Sequence, residues 1–385
     1  MYIPQKQLEN LKQMIMPGKV MVIYGARRVG KTTLLNKFLE DKNLSDVLFV
    51  NGDDIVARQY LESQSINKLK DFIGGHRYLI IDEAQYVKHI GLNLKLIVDH
   101  IPEIQVIATG SSSFDLAKDI GEPLTGRKMV LQMLPLSQME LLRIEKRHET
   151  EANLESRIIY GSYPEVVTIA DNKRRQEYLK EIVGSYLFKD ILMFEGIRHS
   201  DKLLRLLQLL AFQIGKEISL LEIGKQLGMS KNTVERYIDL LEKVFVVFRR
   251  GGFSRNLRKE ITKNQRCFFY DNGIRNALIN NFNPINLRND IGELWENYIQ
   301  SERLKYHEYL RQYTRSYFWR TYDKKEIDLV EEFDGKLYGY EIKWKKRKVN
   351  PPQACGKHYP DADFEVIHRD NYLNFLQEIV KQKKA

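Results

Sequence analysis

Apolar residues come in short blocks before residue 137 and in helical stripes after it. Val20–Tyr24 is a continuous, β-branched-rich run closed by glycine, which predicts a buried strand. Val47–Asn51, Tyr78–Ile81 and Val106–Ser111 repeat the pattern, as parallel strands covered on both faces do. Thr32–Glu40 carries Leu34, Leu35, Phe38 and Leu39 on one side, predicting a helix directly after the first strand. Residues 138–200 read as helices, broken at Gly161-Ser-Tyr-Pro164 by turn chemistry. Leu220–Leu227, a Gly228-Met-Ser230 turn and Lys231–Leu241 read as helix, tight turn, helix. Val244–Arg249 then predicts a strand, with Arg250-Gly-Gly252 as its hairpin turn.

The last third changes character. Cys267–Tyr270 predicts a strand, and Asp290–Tyr309 a long helix with Ile291, Leu294, Trp295, Tyr298 and Ile299 inward. Tyr317–Arg320, Glu326–Phe333 and Leu337–Trp344 predict three strands, the last two joined by the two-residue turn Asp334-Gly335. A strand at Phe364–His368 and a final helix close the unit. The expected division is an α/β core at 1–137, a helical lid at 138–200, a winged helix-turn-helix at 201–262 and a second α/β unit at 263–385.

Composition narrows the class. The 385 residues suffice for two or three cored domains, and no apolar run approaches the ~20 residues of a membrane span. Two cysteines, Cys267 and Cys355, are too few for a disulfide framework. The first residues lack the basic-then-apolar pattern of a secretory signal, so the expected location is cytoplasmic, with no membrane partner. A net charge of +10 suits an acidic partner such as nucleic acid.

The first strand and helix enclose Gly25-x-x-x-x-Gly30-Lys31-Thr32, the phosphate-loop spacing. Glycines let successive N–H groups turn toward one anion, and the new helix adds its positive end. Gly25, Ala26, Arg27, Arg28, Val29, Gly30, Lys31, Thr32 and Thr33 are the candidate phosphate cradle, with Lys31 on the outer phosphates and Thr32 on Mg²⁺. Asp82 and Glu83 end the third apolar run, Asp82 placed to hold Mg²⁺ through water and Glu83 to orient or deprotonate an attacking water. Ser111 is either a γ-phosphate sensor or a helix cap before Phe114–Lys118. Arg127, in the turn Leu124-Thr-Gly-Arg, is either a transition-state arginine, within one subunit or across two, or a surface residue.

In the helix-turn-helix, Lys231, Asn232 and Arg236 lie outside the inner face set by Val234, Tyr237, Ile238 and Leu241. With Arg249, Arg250 and Arg255 on the wing they fit DNA docking; the alternative is a protein–protein spacer. In the last third, the turn Asp334-Gly335 places Asp328 across from Glu341, with Lys343 on the same face. Facing carboxylates destabilise a ladder unless a cation lies between them. The same register also sets Glu326 across from Lys343, an ordinary ion pair. Lys343–Lys348 holds five basic residues in six, suited to a nucleic-acid backbone or to shielding a sheet edge.

Several blocks together resemble AAA-type ATPases of the AAA_14 group fused to a DUF4143-type domain. They are Gly25–Thr33, Leu79–Gln85, Ala108–Ser112, Leu124–Arg127, Leu134-Pro-Leu-Ser137 with Glu140, Tyr160–Pro164, Tyr186–Asp190 and Phe269–Gly273. The resemblance implies a P-loop ATPase fold and ATP hydrolysis, with ATP and Mg²⁺ as cofactors. Asp328…Glu341-x-Lys343 resembles the PD-(D/E)xK nuclease signature, which implies a second metal site of Asp328, Glu341 and the helical Glu296, with Glu293 as its substitute. Three functions follow as expectations: an ATPase acting on or near DNA, an ATP-gated metal-dependent DNA endonuclease, or a nucleotide-dependent switch for a protein partner. Oligomeric state is left open.

Overall fold

A computed structural model describes residues 2–111, 124–187, 200–253, 265–320, 325–347 and 362–377. Phe114–Lys118, Asp190, Arg255, Lys348 and Cys355 lie outside them.

Helix α1 (Lys6–Met14) precedes β1 (Val20–Gly25), and α2 (Lys31–Leu39) follows it. Strands β2 (Val47–Asn51), β3 (Tyr78–Asp82), β4 (Gln105–Gly110) and β5 (Lys128–Met133) join β1 in a parallel sheet ordered β2-β3-β4-β1-β5. β1 is buried throughout, β3 and β4 nearly so, and the edges β2 and β5 are not. That is why the central runs read as unbroken apolar blocks. Met21, Ile23, Ile80 and Ile107 face one core; Val22, Tyr24, Leu79 and Ile81 face the other.

The middle of the chain is helical as expected. After the short helix Gln138–Leu141 come α3 (Arg147–Tyr160), α4 (Pro164–Thr168) and α5 (Asn172–Glu181), with Pro164 at a first helical position. Helices α6 (Ser200–Phe212), α7 (Leu220–Leu227) and α8 (Lys231–Lys243) follow. Gly228 takes a left-handed C-cap and Ser230 caps α8 through Thr233 N–H at 3.1 Å, so the helix-turn-helix forms where its signals stood.

The strand after it is shifted. Val244 and Phe245 finish the helix exit, Phe245 with φ 55°, so β6 spans Val247–Gly251. No hairpin turn forms at Arg250–Gly252: β6 runs through Gly251 and pairs antiparallel with β7 (Gln265–Phe269), Arg250 opposite Arg266. The ribbon therefore spans the boundary expected at 262/263. Helix α9 (Asn272–Leu278) continues from it into α10 (Ile291–Leu310).

A second sheet, ordered β11-β10-β9-β8, contains β8 (Arg315–Arg320), β9 (Glu326–Phe333), β10 (Lys336–Ile342) and β11 (Asp363–Ile367). Asp334 and Gly335 both have positive φ, and Lys336 pairs with Phe333 through to Tyr340 with Leu329, the register the turn dictates. β10 and β11 are parallel, and α11 (Tyr372–Gln377) packs on α10.

Two of the recognised blocks meet at one buried junction. Asp271 accepts hydrogen bonds from the N–H groups of Ser162 at 2.7 Å and Ile274 at 3.2 Å, and Asn272 Nδ2 reaches the carbonyls of Ile158 and Leu294. Burial raises the Asp271 carboxyl above its ordinary range, against these donors. Gly161 has φ 75°, and a Cβ there would stand 2.0 Å from Asp271 Oδ1. Gly161→Ala is thus expected to destabilise the protein by about 3 kcal/mol through strain and overpacking. A urea midpoint unchanged from wild type would contradict the close approach.

Candidate active site

The phosphate loop leaves the C-terminal end of β1, where ligands bind in sheets of this type. A Cβ on Gly25 would come within 2.2 Å of Met133 O, so only glycine lets β1 turn there against β5. Arg28 at φ 66° and Gly30 at φ 97° curl the loop into the start of α2. Lys31 is 6% exposed, its ammonium donating to Gly25 O at 2.9 Å and Ala26 O at 3.0 Å. Val29 O accepts from Gln5 Nε2 at 3.1 Å, and Arg27 Nη2 reaches Tyr86 OH at 3.1 Å.

The Thr32 hydroxyl donates to Asp82 Oδ2 at 2.8 Å. Two hard oxygen ligands on adjacent elements at the loop match what Mg²⁺ takes. Glu83 has a left-handed backbone and points into the same cavity, its carboxylate bonded by Gln85 Nε2. The hydroxyl that organises this acidic pair is Thr109, which donates to Asp82 Oδ1 and accepts from Glu83 N–H at 3.2 Å. Ser111 and Thr109 are both fully buried, and neither lines the cavity.

The cavity holds about 590 Å³, within the range of ligand sites. Arg27, Arg28, Gly30, Lys31, Thr32, Thr33 and Glu83 line one side. Tyr2, Ile3 and Gln5, with Leu136, Pro164, Glu165, Thr168 and Tyr178, line the rest. Of this second group, Leu136 and Pro164 fall within the recognised blocks 134–137 and 160–164; the sequence carried no motif for the others. Gln5 is 6% exposed and its Oε1 has no hydrogen-bond partner among the described residues, an acceptor buried beside the loop.

Arg127 is not at this site. Its carbonyl accepts from Val20 N–H at the start of β1, and its Nε bonds Asp99 Oδ1 at 2.6 Å. Six residues of β1, at about 3.3 Å each, separate it from the loop, so it does not reach the phosphates of its own chain.

Two of the wing arginines, Arg249 and Arg250, are also engaged elsewhere. Arg249 pairs with Asp239 at 2.6 Å and with Glu242, while Arg250 turns inward to Gln300 at 3.3 Å. Burial draws the Arg250 guanidinium down to about 10. Lys231, Asn232 and Arg236 stay exposed on α8.

The second cluster assembles around Asp328, one place beyond the paired Leu329–Tyr340. Asp328 Oδ2 accepts from Ile342 N–H at 2.8 Å and Lys343 Nζ at 3.1 Å, and Lys343 also reaches Glu341 at 2.6 Å. Glu326 goes instead to Arg320, at 3.1 Å, and to Arg266, so the Glu326–Lys343 pair does not form. Glu296 lies 3.5 Å from Arg266 Nη1. Burial, then Asp328, pushes the Glu296 carboxyl well above its ordinary range and that of Glu341 upward. Burial pulls the Lys343 ammonium down, but Asp328 and Glu341 outweigh it and hold it high. The second metal site expected from Glu296, Asp328 and Glu341 is corrected: among the described residues no three acidic, histidine or cysteine side chains form a metal-binding group. Glu293, its substitute, has no part in the cluster's ion pairs among the described residues. Arg266 and Lys343 supply the positive charge.

A parallel sheet with a glycine loop, Lys-Thr and a facing Asp-Glu defines a P-loop nucleotide-binding domain. Residues 17–142 match the AAA_14 model, described as an AAA domain. Residues 291–366 match DUF4143 and residues 151–285 DUF8612, both described as domains of unknown function. An uncharacterised protein of Methanocaldococcus jannaschii is 27% identical over 258 residues, 62% of this chain and 58% of its own length. This chain thus spans less than two thirds of that relative. An uncharacterised protein of Haemophilus influenzae is 25% identical over 355 residues, 84% of this chain and 82% of its own. Another, from Mycobacterium tuberculosis, is 24% identical over 339 residues, 87% and 72%. Among solved structures, a signal-transduction ATPase with a tetratricopeptide-repeat sensor from Pyrococcus horikoshii is similar at a TM-score of 0.31 and 13% identity, over 80% of this chain and 47% of its own.

Proposed function

We propose that this chain binds and hydrolyses ATP with Mg²⁺ and works on DNA through its helix-turn-helix. The observation that carries the first half is one cavity containing Lys31, Thr32 and Glu83, with Asp82 bonded to Thr32 behind them. Thr32 and Asp82 would hold Mg²⁺, which supplies positive charge against the phosphates when bound. Lys31 would exchange the carbonyls of Gly25 and Ala26 for phosphate oxygens, while the N–H groups of the loop and of the first turn of α2 face the same anion. Glu83, on its left-handed backbone, would orient or deprotonate the attacking water.

The DNA half rests on α8. It presents Lys231, Asn232 and Arg236 to solvent while Val234, Tyr237, Ile238 and Leu241 anchor it in the core. That is a second helix fixed by its inner face and polar outside, suited to a groove and its phosphates. Arg249 and Arg250 contribute no wing contact. Cleavage of DNA at Asp328, Glu341 and Lys343 is no part of this reading, because the carboxylates there are already paired.

Steady-state ATP turnover with and without duplex DNA tests both halves. Turnover that rises with DNA, and loses the rise in a Lys231→Ala, Arg236→Ala double variant, is the expected result. Removing two phosphate contacts should also flatten the salt dependence of DNA affinity by roughly two units of slope. Turnover indifferent to DNA would overturn the DNA half, and absent turnover the first half.

A further inference from the structure

The parallel sheet ends on one side at β5, and the margin of β5 away from β1 borders a second cavity. Parallel pairing sets which backbone groups face it. Val20 lies opposite Lys128 and its N–H donates to Arg127 O at 2.8 Å, so the odd-numbered residues of β5 bond β1. The N–H and C=O of Val130 therefore point outward, and they have no partner among the described residues. At the next outward carbonyl, Gln132 O, Gln7 Nε2 closes the margin at 2.6 Å. The cavity holds about 430 Å³ between this margin, Met14 at the end of α1, and the last turn of α10 with Tyr313 beyond it. The Val130 side chain is 42% exposed and that of Tyr313 90%.

An open sheet edge is a template for another strand, and the charges around it select which strand. Lys19, Lys128 and Arg311 line the cavity, and Lys19 and Arg311 make no ion pair among the described residues. Glu308 is the one acidic side chain on the wall, and burial raises its carboxyl toward the neutral form. His307 turns its Nε2 to Glu331 instead. A second copy of the same edge would set these cations against like charge. Nucleic acid would answer the cations, but its phosphates only accept hydrogen bonds and leave the Val130 carbonyl unmet. We propose that the outer edge of β5 takes up an extended acidic segment of a partner protein, which adds a strand to the sheet at Val130 while its carboxylates meet Lys19 and Arg311. The proposal is independent of the ATPase reading: Lys19 precedes β1 and Lys128 opens β5, whereas the phosphate loop leaves the opposite end of the sheet.

The test is fluorescence anisotropy of a labelled, end-blocked peptide of alternating glutamate and valine, titrated with the full chain without nucleotide. Saturable binding that weakens as salt rises is expected. The same peptide with lysine for glutamate should not bind, nor should one with every amide N-methylated. Val130→Pro removes the outward N–H and leaves the bonds to β1 in place, so it should fold and bind at least about tenfold more weakly. Lys19→Glu with Arg311→Asn is the second variant, asparagine being suited to the left-handed backbone at φ 54°, and it should lose at least as much. Absence of saturation, equal binding of the N-methylated peptide, displacement by a single-stranded oligonucleotide, or folded variants that bind as wild type does would each overturn the proposal. Should Val130→Pro misfold, the charge variant and the N-methylated peptide still decide it.

Discussion

Replacing Lys31 by alanine is expected to lower ATP turnover by at least about 100-fold, the scale of removing one preorganised donor from a developing charge. In the resting site the ammonium bridges Gly25 O and Ala26 O, so it is buried, aimed and close to where the phosphates would lie. Its loss leaves those two carbonyls facing the cavity and should cost only about 1 kcal/mol of stability. Arginine is no substitute, because a planar fork does not fit a position built for a point charge. Turnover and binding of a fluorescent nucleotide, each against a melting curve, separate a lost function from a lost fold. Wild-type turnover in Lys31→Ala would remove the loop from the mechanism.

Replacing Glu331 by glutamine is expected to cost about 4 kcal/mol in the C-terminal unit. Glu331 is fully buried on β9, bonded by Arg303 at 2.8 and 2.9 Å and by His307 Nε2 at 2.7 Å. Arg303 in turn lies over the rings of Tyr306 and Phe375. Removing the charge leaves a guanidinium desolvated without its counter-ion. Burial alone would raise the Glu331 carboxyl, but Arg303 and His307 outweigh it and hold it far below the usual range. The stability it contributes is therefore present above the unfolded carboxylate value of about 4.3 and fades as pH falls below it. The gap between wild type and Glu331→Gln should be full at pH 7 and narrow below about pH 4. Urea midpoints read by tryptophan emission report on this unit, since all three tryptophans lie within 295–344. A gap constant with pH would contradict the assignment.

What the sequence made legible was local. The phosphate loop declares itself because strand, glycines, Lys31 and helix are contiguous, and their geometry follows from backbone sterics. Asp334-Gly335 fixes a register, and that register brings Asp328, Glu341 and Lys343 together without further tertiary information. What stayed hidden depends on distant segments meeting. Arg266 reaches Glu296 and Asp328 only because β7 pairs with β6 rather than turning back at Gly252. Arg249 looked free on a wing until Asp239 and Glu242 of α8 came beside it. Arg127 looked poised in its turn, yet a turn fixes local shape and not which end of the sheet it occupies. Thr109 and Ser111 both follow apolar positions, and strand phase alone did not say which hydroxyl faces Asp82.

Apart from Glu83, the wall of the cavity comes from three stretches far apart in the chain: Tyr2–Gln5, the phosphate loop with the start of α2, and the segment from Leu136 to Tyr178. A molecule filling that space touches all three at once and acts as a removable staple. A ligand present at a hundred times its dissociation constant adds about 2.7 kcal/mol to the folded state. Nucleotide depletion should thus leave the first turns of the chain most open to proteases, making survival of the protein itself a readout of supply.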